Sequence, residues 1–175
     1  YFEDLSGTFS SFQSDNYDGN RYSYAFFEDD DNSTYFDDAV WWGGRNALIE
    51  VDALVTTLPS VSGENYIGQY EGHSYFWTST DNNWWPQHRN RYHRPSEGIY
   101  LLEINTKAEA DWLRAQGVYN RYWVGLVREL TYENDWGLDT DKGWVWYKSG
   151  VPLEGSHSSA ASATTISETT LLVGS

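Results

Sequence analysis

The sequence predicts an α+β fold. Three observations carry the prediction. Short aromatic-rich runs alternate with clusters of Asp, Asn, Ser and Gly; two segments bear helix start signals; and 18% of the residues are aromatic, with ten Trp and fourteen Tyr. That aromatic content is too high for a disordered chain despite the charge, and each ring brings a large apolar area to bury. At 175 residues the chain fits one domain, or one domain with an arm, and can bury a core without covalent staples.

The elements follow in order. Residues 21–27 (RYSYAFF) alternate as a strand does, and 28–32 (EDDDN) are a loop. Residues 46–55 (NALIEVDALV) are either a strand or a short helix, since an apolar run of this length fits both periods. Residues 58–65 (LPSVSGEN) hold Pro, Ser and Gly and make the best boundary between an N-terminal β-rich supplement (1–65) and the rest of a single domain ending at 155. Residues 73–80 (HSYFWTST) form a strand that runs into a turn at 81–83. In WWPQHRNRYHRP, Pro86 suits the first helical turn, where its missing N–H is not needed. Trp85, Arg89 and Tyr92 then share a face, and Pro95 stops the helix.

Residues 98–104 (GIYLLEI) are a buried strand. NTKAEADWLRAQG is the clearest helix: Thr106 and Glu109 make a capping box, Ala108 and Trp112 share a face, and Gly117 ends it. Residues 122–126 (YWVGL) are another buried strand. An acidic loop leads to a strand at 144–147 and a turn at Lys148, Ser149 and Gly150. After Gly155 the chain is Ser-, Ala- and Thr-rich. Residues 156–175 are either a linker or a strand that pairs with this domain or a neighbouring subunit.

Charge and composition exclude several functions. The formal net charge is −15, and residues 1–56 carry twelve Asp or Glu against two Arg. A nucleic-acid binder needs a basic face, so that class is excluded. The acidity serves either solubility or divalent-cation binding by clustered carboxylates. With neither Cys nor Met, zinc-thiolate, haem-thiolate and thiol-nucleophile chemistry are ruled out. No apolar run reaches the ~18 residues of a membrane span. Tyr1 in place of Met is expected of an excised or processed piece, and Asn32 heads a glycosylation sequon. Composition points to secretion.

The order of elements from about residue 69 to 155 resembles the C-type lectin-like domain. The pieces are YEGHSYFW, a helix opened by Trp85, IYLLEI, the helix TKAEADWL, the WIGL-type strand Trp123-Val124-Gly125-Leu126, and the W-x-W pair Trp144 and Trp146 followed by Gly150. The resemblance implies two helices packed on a small mixed or antiparallel sheet, and these residues are its scaffold. Several family features are missing. No disulfide is possible, and Tyr92 sits near where a helix cysteine is common. No Trp-Asn-Asp, Glu-Pro-Asn or Gln-Pro-Asp occurs, and Arg128 stands where an acidic calcium ligand often follows the WIGL strand. The family's principal calcium and sugar site is therefore not carried over. Either residues 1–65 complete a permuted domain, which requires Gly155 near Tyr1, or they supplement a reduced core. Reduction with supplementation is the preferred reading.

Two acidic loops are the calcium candidates. EDDDNSTYFDD offers Asp29 and Asp31, and ENDWGLDTDKG offers Asp139 and Asp141, with solvated turns as the plain alternative. In the second loop Glu133, Asn134, Asp135 and Trp136 are the candidate ligand-binding residues, because an exposed indole is a platform for a sugar face or an apolar anchor. HRNRYHR is a basic island that either pairs with the acidic N-terminal half or contacts a carboxylate ligand. His88 and His93, five apart, do not stack as a helical zinc pair. No phosphate loop, G-x-S-x-G or H-E-x-x-H occurs, so no enzyme is expected. The expectation is a secreted or cell-surface microbial module that binds a glycan, peptide or protein ligand with calcium. The alternative is a structural subunit that self-associates through its terminal strands.

Overall fold

The computed structural model describes residues 1–8, 22–27, 35–39, 44–58, 64–78, 85–118, 121–129 and 143–155. In chain order its elements are β1 (Tyr22–Phe27), β2 (Phe36–Ala39), β3 (Leu48–Val51), β4 (Glu64–Tyr70), β5 (His73–Thr78), α1 (Trp85–Tyr92), β6 (Ile99–Leu101), α2 (Lys107–Ala115), β7 (Tyr122–Glu129) and β8 (Trp144–Trp146). They form an α+β protein with two antiparallel four-stranded sheets, ordered β2-β1-β7-β8 and β4-β5-β3-β6. Among the described residues no helix is long and apolar enough to cross a membrane.

The ambiguous run at 46–55 forms a strand, β3, buried along its whole length. Its residues alternate between two hydrophobic clusters. Ile49 and Val51 face α1 and the Trp123 side, whereas Leu48 faces α2. A helix would have put Ile49 and Val51 on different faces, and the strand period sends both β-branched side chains into one cluster.

Strand β7 is central, between β1 and β8, and residues 122–128 are all buried. Tyr122, Val124 and Leu126 join Ala110 and Leu113 of α2 in one cluster, while Trp123 and Val127 join Trp85 and Tyr92 of α1 in the other. A continuous apolar run is what a strand covered on both faces requires. The second sheet is tied to this strand by backbone bonds: Trp123 N–H donates to Asn46 O at 2.8 Å, and Gly125 N–H to Leu102 O at 2.8 Å.

Both helices occur where expected, but their buried faces differ from expectation. In α1 the buried residues are Trp85, His88 and Tyr92, and Arg89 is only half-buried. Trp85 Nε1–H donates to Val124 O at 2.7 Å, His88 Nε2 lies 2.7 Å from Arg45 O, and Tyr92 O–H donates to Glu64 Oε1 at 2.9 Å. Each of these three buried residues thus has a polar contact for a side-chain N or O atom, so a helix of low mean hydropathy can still pack. In α2 the buried face is Glu109, Ala110 and Leu113, and Ala108 is exposed. Thr106 Oγ1 accepts the Glu109 N–H at 3.1 Å, as a capping box requires, but the Glu109 carboxylate reaches back to Asn105 N–H at 2.7 Å.

The two ends of the described chain meet. Glu3 N–H donates to Asn105 O at 2.8 Å and Leu5 N–H to Leu153 O at 3.1 Å. Gly155 lies against the backbone of Phe2, Glu3 and Asp4, the proximity that a permuted domain requires. The first 65 residues contribute β1 and β2 to one sheet and β3 to the middle of the other, so strands on both sides of the 58–65 segment share a sheet. Residues 156–175 lie outside the described residues.

Candidate functional site

All eight site residues read from the sequence fall outside the described residues: Asp29, Asp31, Glu133, Asn134, Asp135, Trp136, Asp139 and Asp141. Arg128, at the acidic position of the family pattern, is fully buried on β7 with its guanidinium 5.2 Å from the Trp144 ring.

The described residues assemble a different polar site, on the face of β3 that is turned toward α2. Leu48 and Glu50 share that face by the strand period. Register sets Glu50 directly between Tyr75 of β5 and Tyr100 of β6. Glu109 of α2 comes down on Tyr75, whose hydroxyl donates to Glu109 Oε1 at 2.9 Å. Glu103 follows β6, and its N–H donates to Glu50 Oε2 at 3.2 Å. Its own Oε1 accepts the Ser149 N–H at 2.9 Å, from the turn after β8. Glu50 is 2% exposed, and Glu103 and Glu109 are 3% exposed. Three carboxyl groups are therefore buried together, which is costly unless protons, hydrogen bonds or cations offset the charge.

Toward the surface the cluster continues through Asp52, His73 and Lys148. His73 Nδ1 lies 2.9 Å from Glu50 Oε1 and 3.1 Å from Asp52 Oδ1. It is at ion-pairing distance from both, yet meets hydrogen-bond geometry with neither. The Tyr100 hydroxyl donates a short hydrogen bond to Asp52 Oδ1. Lys148 Nζ bonds Asp52 Oδ2 at 3.1 Å and sits 3.3 Å from the centre of the Tyr100 ring. That contact combines an ion pair with a cation–π interaction.

Electrostatics divide the cluster. Burial, with Glu50 nearby, pushes the Glu109 carboxyl up to about 7 against the opposing hydrogen bonds from Asn105 and Tyr75. Burial likewise pushes Glu103 up to about 7, opposed by its bonds from Ser149. Burial and the neighbouring carboxylates raise both Tyr75 and Tyr100, which stay neutral donors. At the rim the balance reverses. Partial burial pushes Asp52 up, but the Tyr100 hydroxyl, Lys148 and His73 together outweigh it and hold the carboxyl below its usual range. The adjoining Glu50 carboxylate raises His73 despite partial burial.

The inner part thus retains protons near neutrality, and the rim keeps its charge. Glu50, Asp52 and His73 each offer one ligand atom, and these atoms all lie within 4.8 Å of one another, a spacing that can hold a metal ion. Sequence reasoning missed this site. The available signal was the carboxylate inside each of two apolar runs, Glu50 in ALIEV and Glu103 in YLLEI, since an acid on a buried strand face demands a partner. No protein-family model, curated protein or solved structure matches the chain.

Proposed function

We propose that the chain is an extracellular, non-catalytic binding module with a C-type lectin-like core, supplemented by its first 65 residues, which engages a glycan or peptide ligand through the segment bearing Trp136. The observation that carries the reading is the role of the residues behind the resemblance. Trp123, Val124, Leu126 and Trp144 are fully buried, and Trp146 is nearly so, on the central strand and its neighbour. They are scaffold, which leaves the segment between β7 and β8, read from its sequence as a loop, as the part to vary with ligand. Burial of Glu103 and Glu109 supports the non-catalytic assignment, because an acid–base pair must be within reach of its substrate. Calcium at Asp29, Asp31, Asp139 and Asp141 belongs to the same reading, as a structural or ligand-bridging ion.

The test is binding of the full chain to immobilised complex-glycan and peptide panels, with calcium and with chelator. Saturable binding by a monomer is expected. Trp136→Ala weakens it without lowering the melting temperature, whereas Trp123→Ala destabilises the fold by roughly 3–5 kcal/mol, as large core truncations do. Calcium raises the melting temperature if it binds the folded state. An oligomer at micromolar concentration that dissociates when 156–175 are deleted, with no panel binding, sinks the reading in favour of a self-assembling structural subunit.

A further inference from the structure

We propose that Glu50, Asp52 and His73 form a binding site for a first-row divalent transition ion, with zinc favoured over calcium or magnesium. The site is independent of the acidic segments at 28–38 and 133–143 and does not depend on the module being a lectin.

Four features build it. The first is backbone placement. Glu50 lies on β3, Asp52 just beyond its end, and His73 opens β5, with Val51 paired to Ser74 and Glu50 to Tyr75 across the ladder. The ligands therefore sit on two hydrogen-bonded strand ends rather than on a loop, which favours a defined geometry. The second is the way the other oxygens are used. Glu50 Oε2 is held by Glu103 N–H at 3.2 Å and Asp52 Oδ2 by Lys148 Nζ at 3.1 Å. Glu50 is thus anchored through Oε2 with Oε1 left toward His73, whereas Asp52 Oδ1, the oxygen nearest His73, also accepts the Tyr100 hydroxyl, which positions that oxygen. Such supporting bonds orient ligands in metal sites.

The third feature is His73 Nδ1 itself. The atom is closed off from solvent and satisfies no hydrogen bond, although two carboxylate oxygens stand 2.9 and 3.1 Å away. A ring nitrogen within reach of two carboxylate oxygens has the donor grouping of a ligand set. In a tetrahedral zinc site with bonds near 2.0–2.1 Å, neighbouring ligand atoms stand about 3.3 Å apart, so each oxygen needs to move from Nδ1 by only a few tenths of an ångström. The fourth is access. Glu50 is a floor ligand at 2% exposure, while the His73 and Asp52 side chains are 32% and 40% exposed, which leaves an open side for a water or a ligand donor.

The donor set selects the ion. One imidazole with two monodentate carboxylates suits zinc, whereas calcium takes six to eight oxygens and magnesium a near-octahedral oxygen shell.

The test uses the untagged full chain after chelation, titrated with zinc chloride, with calcium chloride in parallel and cobalt(II) as a spectroscopic probe. One equivalent of zinc binds and raises the melting temperature, and cobalt gives the visible absorption of a low-coordinate site. His73→Ala and Asp52→Asn each weaken zinc binding at least tenfold, while Asp29→Asn and Asp139→Asn leave it unchanged. Their melting temperatures without metal report whether each variant folds. The proposal is overturned if zinc produces no shift, or if His73→Ala and Asp52→Asn, still folded, bind zinc as the parent does. A loss confined to the acidic-loop variants overturns it equally. Calcium response and panel binding are separate readouts, so failure of this site is distinguishable from failure of the binding-module reading.

Discussion

The carbonyl oxygen of Leu101 lies 2.7 Å from where a Cβ on Gly125 would stand, and that of Leu102 lies 3.0 Å away. Gly125 is the point at which central strand β7 presses on the chain leaving β6, and its own carbonyl accepts the Tyr147 N–H at 2.7 Å. Both obstructing atoms are backbone, so neither can turn aside. Gly125→Ala is expected to destabilise the protein by about 3 kcal/mol, at the upper end of overpacking costs. For a chain of this size that lowers the melting temperature by roughly 10 °C. An unchanged melt by circular dichroism contradicts the contact.

The buried acids predict a pH dependence with a definite sign. Glu109 titrates near 7 in the fold against an ordinary 4.5. The native state then keeps a proton that the unfolded chain has released. Its contribution is full below the unfolded value, declines as pH rises toward 7, and then levels off. The difference is on the order of 3 kcal/mol for this group. His93 acts oppositely. Burial, with Arg89 and Lys148 nearby, lowers it to about 4, so its contribution is present above its ordinary value and lost as pH falls. The comparison must therefore be between variants. Glu109→Gln keeps a neutral acceptor for Tyr75, and its urea stability relative to wild type should improve from pH 5 to pH 8. A constant difference across that range rules out a raised Glu109.

The meeting of the chain ends gives a third expectation. Leu5 is buried and its N–H bonds Leu153 O. Gly155 has φ +84° and backs onto Phe2 O, with a Cβ position 2.7 Å away. Leu5→Ala should cost about 2–5 kcal/mol. Gly155→Ala should cost at least about 1 kcal/mol from the left-handed backbone alone. Because both changes loosen the same seat of the N-terminal segment, the double variant should lose less than the sum. Strict additivity in denaturant melts would show that the two ends are not coupled.

Much of the fold was legible because its signals are local. Thr106 and Glu109 mark a helix start, Pro86 a first turn, and the apolar run through Trp123 and Leu126 a strand covered on both faces. Burial within an element was less legible. Arg89 and Ala108 sit where periodicity allows a core face, but the neighbours of α1 offered His88 a carbonyl and those of α2 offered Glu109 a tyrosine. Partner availability, rather than side-chain polarity, decided which residues turned inward.

The sequence alone determined both helices, most of the strands, the aromatic core and the α+β class, since capping, turn chemistry and periodicity act over a few residues; β2 and β4 were not legible, and β3 was left between strand and helix. Only the tertiary structure decided that β1 lies beside β7, that β3 enters between β5 and β6, and that Glu50, Asp52, His73, Tyr75, Tyr100, Glu103, Glu109 and Lys148 converge. None of these side chains names its partners in its own segment. Strand pairing and helix docking bring them together, and the low dielectric of the shared interior then turns the ordinary acids Glu103 and Glu109 into proton holders.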